Sequence, residues 1–160
     1  HAQSQIHGSS VVDLGSCFGF FPLRLAAAGF DVTATDLSAP TMRLLGRVAD
    51  LLGRPVHTAA ADAANVPLPD ACADTVTAVH LIEHLDPATT RAVLHEALRL
   101  TRRRVIVAVP FEDEPRACYG HIQRFDLAAL VDLGIALCAT DPGLRPAVHE
   151  YRGGWLILDR

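Results

Sequence analysis

The apolar residues of this chain fall into short runs that are separated by longer stretches with a mixed pattern. Five runs are rich in β-branched residues and have the length of buried strands. They are residues 10–14, 31–36, 56–60, 75–81 and 105–109. The fourth run is apolar on both faces apart from its threonines, which is typical of a central parallel strand.

Helix start and stop signals lie between the strand runs. Pro22 suits the first turn of one helix, and Gly29 suits the left-handed position at its end. Ser38 can cap a second helix, which Gly53 and Pro55 would end. The predicted buried face of this second helix consists of Leu44, Leu45, Val48, Leu51 and Leu52.

Two further helices and a hairpin complete the predicted fold. Asp86 followed by Pro87, and later Asp126, can cap the helices, and residues 146–151 and 155–158 flank a glycine pair as hairpin strands do. Alternating strands and helices predict a doubly wound, mainly parallel α/β sheet with an antiparallel hairpin at its C-terminal edge. No linker divides the chain, so residues 1–160 are predicted to form a single domain.

Composition and charge narrow the classes of function. Half of the residues are hydrophobic and 20% are charged, which excludes a disordered or fibrous protein. No apolar stretch approaches the ~20 residues that span a bilayer, so no membrane partner is expected. A net charge of -4 argues against a nucleic-acid partner in spite of the arginines at positions 102–104.

The cysteines and the N-terminus suggest a cellular context. The four cysteines form no CxxC pair and are typical of reduced thiols, and the short polar N-terminus does not resemble a signal peptide. We therefore expect a cytoplasmic location. Because the chain begins at His1 without a methionine, we also expect it to be part of a longer protein with additional N-terminal helices.

Three acids and a glycine turn are predicted to share one edge of the sheet. The turn after the first strand reads Asp13-Leu14-Gly15-Ser16-Cys17-Phe18-Gly19, and its glycine spacing lacks the middle glycine of a dinucleotide fingerprint. Asp36 ends the second strand, where an acid can accept hydrogen bonds from ribose hydroxyls. Asp62 follows the third strand, beside the place of an adenine. Singly, such acids usually cap loops, but together they suit a cationic adenosine cofactor.

These segments resemble the class I S-adenosylmethionine-dependent methyltransferases. The resemblance rests on VVDLGSCFG (residues 11–19), TATDLS around Asp36, AADAANVPLPDACAD (60–74) and HLIEHL (80–85). It implies a Rossmann-like fold and methyl transfer from S-adenosylmethionine. The glycine motif departs from the DxGxGxG of the family, which leaves the details of the loop open. The implied cofactor-binding residues are Asp13, Gly15 and Gly19 around the methionine moiety, Asp36 at the ribose, Asp62 with Ala63 at the adenine, and in addition Ser16, Leu37 and His80.

A narrower resemblance is to bacterial methyltransferases that act on sugars, in particular the one associated with mycofactocin oligosaccharides. It rests on SCFGFFPLRLAAAGFDVTATDLS (16–38), PFEDEPRACYGHIQRFD (110–126) and GGWLILDR (153–160). It implies that the methyl acceptor is a hydroxyl group of an oligosaccharide or another small molecule.

The segment His80-Leu81-Ile82-Glu83-His84 has the H-x-x-E-H spacing of inverted zinc proteases. That chemistry requires a helix, whereas the fourth strand leads directly into His80, so we reject it. Ligands of a doubly wound sheet bind where the strand order reverses, here between the first and fourth strands. The loop that carries His121 is expected to overhang this point, while its acidic run, residues 112–114, is predicted to be a solvated loop.

The same segment resembles small-RNA 2'-O-methyltransferases and ubiquinone O-methyltransferases, which carry an acid-x-x-Glu-His pattern, with a later histidine in the RNA enzymes. Those residues hold a divalent metal. The resemblance implies metal ligands at His80, Glu83, His84 and His121, a set that would favour Zn, Mn, Fe or Co over Mg. Without a metal, Glu83, His84 and His121 are the candidates to deprotonate the acceptor, with a histidine as general base.

Two other functions stay open at the level of sequence. A nicotinamide-dependent oxidoreductase, which binds NAD(P), uses the same layered fold, although the missing middle glycine argues against it. A non-catalytic module that binds the cofactor is the second alternative. It would be favoured if the longer protein lacked the N-terminal helices that close over the cofactor in methyltransferases.

Overall fold

The computed structural model describes residues 1–160 and consists of seven strands and four α-helices. The strands are β1 Ser10–Leu14, β2 Asp31–Asp36, β3 His57–Ala60, β4 Ala73–Val79, β5 Thr101–Val109, β6 Arg145–Glu150 and β7 Gly154–Asp159. The helices are α1 Phe20–Ala27, α2 Ala39–Leu51, α3 Pro87–Leu100 and α4 Leu127–Thr140.

All seven strands belong to one sheet with the order β3-β2-β1-β4-β5-β7-β6. The first five in this order are parallel, and β7 pairs antiparallel with both β5 and β6. The predicted mainly parallel, Rossmann-like sheet with an antiparallel C-terminal edge is therefore confirmed. The strand order reverses between β1 and β4, as predicted, so a cleft opens beyond their carboxyl ends.

Local capping signals predicted the helix starts correctly. Ser38 accepts a hydrogen bond from the Thr41 amide at the start of α2, and Asp86 accepts from the amides of Ala88 and Thr89 at the start of α3. Asp126 caps α4 through the Ala129 amide. These side chains satisfy amides that have no partner within the first helical turn.

The largest differences from the predicted strand boundaries lie in β4 and β5. Strand β4 ends at Val79 rather than at residue 81, because His80 adopts a left-handed backbone conformation with φ 55° that turns the chain out of the sheet. Strand β5 begins at Thr101, four residues before the predicted start, directly after α3.

The arginine run lies within β5 and is neutralised by carboxylates. Arg102 and Arg103 contact Asp74, and Arg104 forms two hydrogen bonds of 2.6 and 2.7 Å with Asp159 of β7. These ion pairs join neighbouring strands of the sheet.

The predicted buried face of α2 is right for Leu45, and for Val48, which packs against the core, but wrong for the other three leucines. Its buried residues are Met42, Leu45 and Ala49, whereas Leu44, Leu51 and Leu52 are exposed. The helix packs on β2 and on the short edge strand β3, so only a narrow stripe of it is covered. Leu45, which packs against the glycine loop, is among the largest fully buried side chains.

The main hydrophobic core lies between the sheet and helices α3 and α4. It includes Leu94 and Leu100 of α3, Leu130 of α4, and Leu156 and Leu158 of β7, all of them fully buried. This core anchors the strands whose ends line the cleft. None of the helices has both the length and the apolar character needed to cross a membrane.

Candidate active site

The glycine loop between β1 and α1 is tied to the end of β2. The Ser16 amide donates to the Thr35 carbonyl at 2.8 Å, and the Cys17 amide donates to Asp36 Oδ2 at 2.9 Å. Cys17 has a φ of 48°, a left-handed conformation that costs a non-glycine residue about 1–2 kcal/mol. The hydrogen bond to Asp36 helps to hold the loop in this conformation.

Two cavities meet at Gly15 beyond the strand ends. One, of about 310 Å³, is lined by Asp36, Leu37, Asp62 and Ala63, together with apolar residues of the following segments. The other, of about 290 Å³, is lined by residues of the glycine loop and by the chain after β4. Its lining residues include Asp13, Ser16, Cys17, Phe18, Phe20 and His80.

The predicted cofactor residues are therefore brought together, with one difference. Gly19 lines neither cavity; it precedes α1 with a φ of 79°, and a Cβ atom there would collide with the Leu45 side chain. Gly15 lines both cavities, has a φ of 69°, and would place a Cβ 2.7 Å from Leu81. Gly19 thus allows close packing against Leu45 of α2, and only Gly15 of the two glycines lines the cleft.

Asp36 and Asp62 keep acceptor capacity toward the first cavity. Asp36 Oδ1 accepts from the Ser38 amide at 2.9 Å, and its Oδ2 accepts from the Cys17 amide. Each carboxylate oxygen can accept two hydrogen bonds, so one position remains at each oxygen of Asp36. Asp62 Oδ1 accepts from the Ala64 amide at 2.9 Å, and its Oδ2 atom accepts no hydrogen bond in the structure.

Asp13 is a buried acid at the floor of the second cavity. Its carboxylate accepts hydrogen bonds from the hydroxyls of Thr77 at 2.6 Å and Ser16 at 2.7 Å. Burial raises the pKa of Asp13 from its ordinary value of 3.8 to about 6, although these two hydrogen bonds lower it. The nearby charge of Asp36 adds a smaller increase.

The raised pKa of Asp13 predicts a pH-dependent stability. Folded Asp13 holds its proton to a higher pH than an unfolded aspartate, so its contribution to the free energy of unfolding is complete below about pH 4 and is lost as the pH rises through about 6. The loss amounts to as much as about 3 kcal/mol. Asp13→Asn cannot ionise, so we expect it to lose less stability than the wild type between pH 5 and pH 8 in urea denaturation.

The matched control for this experiment is Asp50→Asn, which changes an exposed acid near the end of α2. This variant should keep the pH dependence of the wild type. Equal pH dependence in Asp13→Asn and the wild type would contradict a titrating Asp13.

Glu83, His84 and His121 form a cluster beside the second cavity. One potential ligand atom from each lies within 4.8 Å of the others. Glu83 and His84 belong to a short 3-10 turn, Ile82–His84, that follows β4. His80, the fourth predicted ligand, lies outside this cluster, and its Nδ1 atom is 3.2 Å from Glu83 Oε1. The structure thus brings together three of the four predicted ligands.

The loop after β5 is held over this turn by main-chain and side-chain hydrogen bonds. The amides of Ile122 and Gln123 donate to the Glu83 carbonyl at 2.9 and 3.2 Å. The Gln123 side-chain amide donates to the Leu85 carbonyl and to the Thr90 hydroxyl. These contacts place the rings of His84 and His121 4.9 Å apart. Gln123 was missed by the sequence analysis, because a loop glutamine carries no signal of such a role.

The hydrogen bonds of the His84 and His121 rings indicate which nitrogen of each neutral ring carries the proton. His84 Nδ1 lies 3.2 Å from the Gly120 carbonyl oxygen, and His121 Nδ1 lies 2.8 Å from Glu112 Oε2. A carbonyl and a carboxylate only accept hydrogen bonds, so both Nδ1 atoms carry a proton. In the neutral rings each Nε2 atom is therefore a free acceptor. The His121 hydrogen bond also holds the pKa of Glu112 below its usual range.

Glu83 adds an unsatisfied acceptor to the same place. Its side chain is 1% exposed, and its Oε2 atom is buried without a hydrogen-bond partner. Buried carboxylate oxygens without a donor are rare because desolvation is costly. A cluster of acceptors of this kind is suited to receive a proton or to hold a cation.

The fold is that of a Rossmann-like α/β protein with a cleft at its strand ends, and comparison with known families gives its class. A profile described as a methyltransferase domain matches residues 11–104. The chain belongs to this methyltransferase family, and the resemblance to the class I S-adenosylmethionine-dependent methyltransferases is confirmed at this level. No curated protein matches the sequence of the chain.

Solved structures share the fold over nearly the whole chain. The PH0226 protein of Pyrococcus horikoshii OT3 is similar with a TM-score of 0.79 and 16% identity, over 99% of this chain and 85% of that one. A SAM-dependent methyltransferase of Methanosarcina mazei has a TM-score of 0.75 and 16% identity, with coverage of 99% and 96%. Magnesium protoporphyrin IX methyltransferase of Synechocystis PCC 6803, with bound SAM, has values of 0.71 and 19%, with coverage of 99% and 73%.

Proposed function

We propose that this chain binds S-adenosylmethionine across the two cavities and transfers its methyl group to a hydroxyl oxygen of a sugar or another small molecule. One observation carries the proposal: the acid-lined cavities meet at Gly15 and lie beside a cluster of free acceptors at Glu83, His84 and His121. A methyl donor and a proton acceptor are the two groups that O-methylation requires.

The lining of the cavities suits a cationic nucleoside. Asp36 has free acceptor positions, which we assign to the two ribose hydroxyls, and we assign the free acceptor of Asp62 to the adenine amine. Asp13 faces the cavity proposed for the methionine moiety, whose ammonium and sulfonium charges favour the ionised carboxylate. No arginine lines either cavity, so neither offers a permanent positive charge to the diphosphate of NAD(P).

The protein's share of the reaction is positioning and proton removal. S-adenosylmethionine, when bound, supplies a methyl group on a positively charged sulfur, which becomes a neutral thioether after transfer. A sugar hydroxyl has a pKa far above 7, so its proton must leave as the oxygen–carbon bond forms. We assign that proton to the Nε2 atom of His84 or His121, with Glu83 beside them to offset the resulting positive charge.

The same cluster fits a divalent cation. Two neutral imidazoles with protonated Nδ1 atoms and one carboxylate oxygen without a partner are the donor set of open metal sites in which other positions stay free. With two nitrogen donors, Zn, Mn, Fe or Co is favoured over Mg. A cation held there would lower the pKa of an acceptor hydroxyl, as it does for bound water.

The experiment that tests the proposal combines cofactor binding with methyl transfer. We expect S-adenosylmethionine to raise the melting temperature, since a ligand at 100 times its Kd stabilises by about 2.7 kcal/mol. NAD(P) should give no shift. Mass spectrometry of candidate oligosaccharides and small hydroxyl compounds, incubated with isotopically labelled S-adenosylmethionine, should then detect the labelled methyl group.

Each alternative gives a different result in this experiment. Stabilisation by NAD(P) alone would favour an oxidoreductase. Binding of S-adenosylmethionine without transfer to any acceptor would favour a non-catalytic module. No shift with millimolar S-adenosylmethionine would refute the proposal.

A further inference from the structure

Glu112 makes a short, partly buried contact with His121 of the proposed active site. Its Oε2 atom lies 2.8 Å from His121 Nδ1, and the side chains of Glu112 and His121 are only 9% and 10% exposed. The neighbouring acid Glu114 is exposed and has no such contact in the structure. Residues 112–114 were predicted to form a solvated loop, and this prediction is wrong for Glu112.

Glu112 is itself held in place. The Arg116 guanidinium lies 3.4 Å from Glu112 Oε1, and the Arg116 amide donates to Glu112 Oε2 at 3.4 Å. A bridge between Phe111 and Phe125 closes the base of the loop that carries both Glu112 and His121. The carboxylate is thus fixed on the same loop as the ring that it contacts.

We infer that Glu112 is a positioning residue that fixes the tautomer and orientation of His121, so that His121 Nε2 is a free acceptor in the active site. The carboxylate can only accept, so it retains the proton on Nδ1. The other side chains near His121 are Glu83, within 4.8 Å, and the rings of His84 at 4.9 Å and Tyr119 at 5.7 Å, and none of them is hydrogen-bonded to Nδ1. Without Glu112, the ring is free to take the opposite tautomer, in which Nε2 carries a proton and can neither accept one nor bind a metal.

The expected effect of Glu112 on kcat rests on the proposed function. Its effect on the tautomer of His121 does not. Carboxylates that hydrogen-bond to an active histidine typically change activity or metal affinity by 10–100-fold when they are removed. Glu112 lines neither of the cavities that we assign to the cofactor. Its loss should therefore lower kcat and leave the KM for S-adenosylmethionine unchanged.

The test compares Glu112→Ala, Glu112→Gln and the matched control Glu114→Gln in the full chain after dialysis against a chelator. The tautomer of His121 is read from the two ring-nitrogen chemical shifts in a long-range ¹H–¹⁵N NMR experiment. We expect a protonated Nδ1 in the wild type and in Glu114→Gln, and a mixed or opposite tautomer in Glu112→Ala. Glu112→Gln keeps an acceptor oxygen and should retain the tautomer, with a kcat about tenfold below that of the control because the negative charge is lost.

The inference is overturned if His121 carries its proton on Nε2 in the wild type, or if Glu112→Ala keeps the wild-type tautomer. Should Glu112→Ala fail to fold, the same tautomer measurement on Glu112→Leu, which also offers Nδ1 no acceptor, decides between these outcomes. The tautomer is measured without cofactor or acceptor. A change of tautomer in Glu112→Ala therefore supports the inference even if the wild type transfers no methyl group and the proposed function fails.

Discussion

Replacing Asp36 with alanine is expected to weaken the binding of S-adenosylmethionine by about 100-fold. Two hydrogen bonds from ribose hydroxyls to a carboxylate contribute roughly 1.5 kcal/mol each, and about 3 kcal/mol corresponds to two orders of magnitude in Kd. The substitution also removes the acceptor of the Cys17 amide, which holds the glycine loop beside the cleft. Isothermal titration calorimetry with S-adenosylmethionine and its demethylated product measures the effect.

The control for this prediction lies on the same strand. Asp31→Ala removes an exposed acid at the opposite end of β2, whose nearest charged partner is His57 at 3.7 Å. This variant should bind within twofold of the wild type. Wild-type affinity in a folded Asp36→Ala protein would contradict the assigned ribose site.

Changing Glu83 to glutamine or His84 to alanine is expected to lower kcat by about 100- to 10,000-fold, the range that general acid–base groups contribute. Both residues lie outside the 310 Å³ cavity with Asp36 and Asp62. The Kd for S-adenosylmethionine should therefore stay within about threefold of the wild type. Steady-state methyl transfer and calorimetry on the same preparations separate the two quantities.

The same variants distinguish direct deprotonation from a role of a metal. One equivalent of Zn, Mn, Fe or Co in the purified wild type, lost in His84→Ala, would support a bound cation. Equal metal content in both proteins together with a reduced kcat would support His84 as a base. The control His95→Ala, on the exposed side of α3, should change neither property, and undiminished kcat in both active-site variants would exclude the cluster from catalysis.

The strands and helix starts were predictable because their signals are local. The runs at residues 10–14 and 31–36 coincide with β1 and β2, since short runs rich in β-branched residues favour strands. Ser38 and Asp86 cap their helices through amides only two or three residues away. The exposure of Leu44, Leu51 and Leu52 was not predictable, because it depends on how much of α2 is covered by the sheet, which ends at the short edge strand β3.

The candidate site also has features that the sequence predicts and features that it does not. The acids at the ends of β1 and β2, and the Glu83–His84 pair after β4, follow from the alternation of strands and helices, because parallel strands bring their carboxyl ends to one edge. The hydrogen-bond partners of the site residues do not follow from the order of strands and helices. Glu112 and Gln123 belong to a loop without periodicity, and their contacts with His121 and Thr90 depend on where that loop folds back.

The sequence by itself therefore determined the order of elements, the edge of the sheet that carries the site, and most of the residue types in it. Only the tertiary structure decided that His80 lies outside the cluster, that Gly19 serves packing, and that Glu112 contacts His121. The physical reason is the range of the interactions: capping and strand patterns act within a few residues, whereas ring protonation and ligand geometry depend on side chains brought together by packing across the fold.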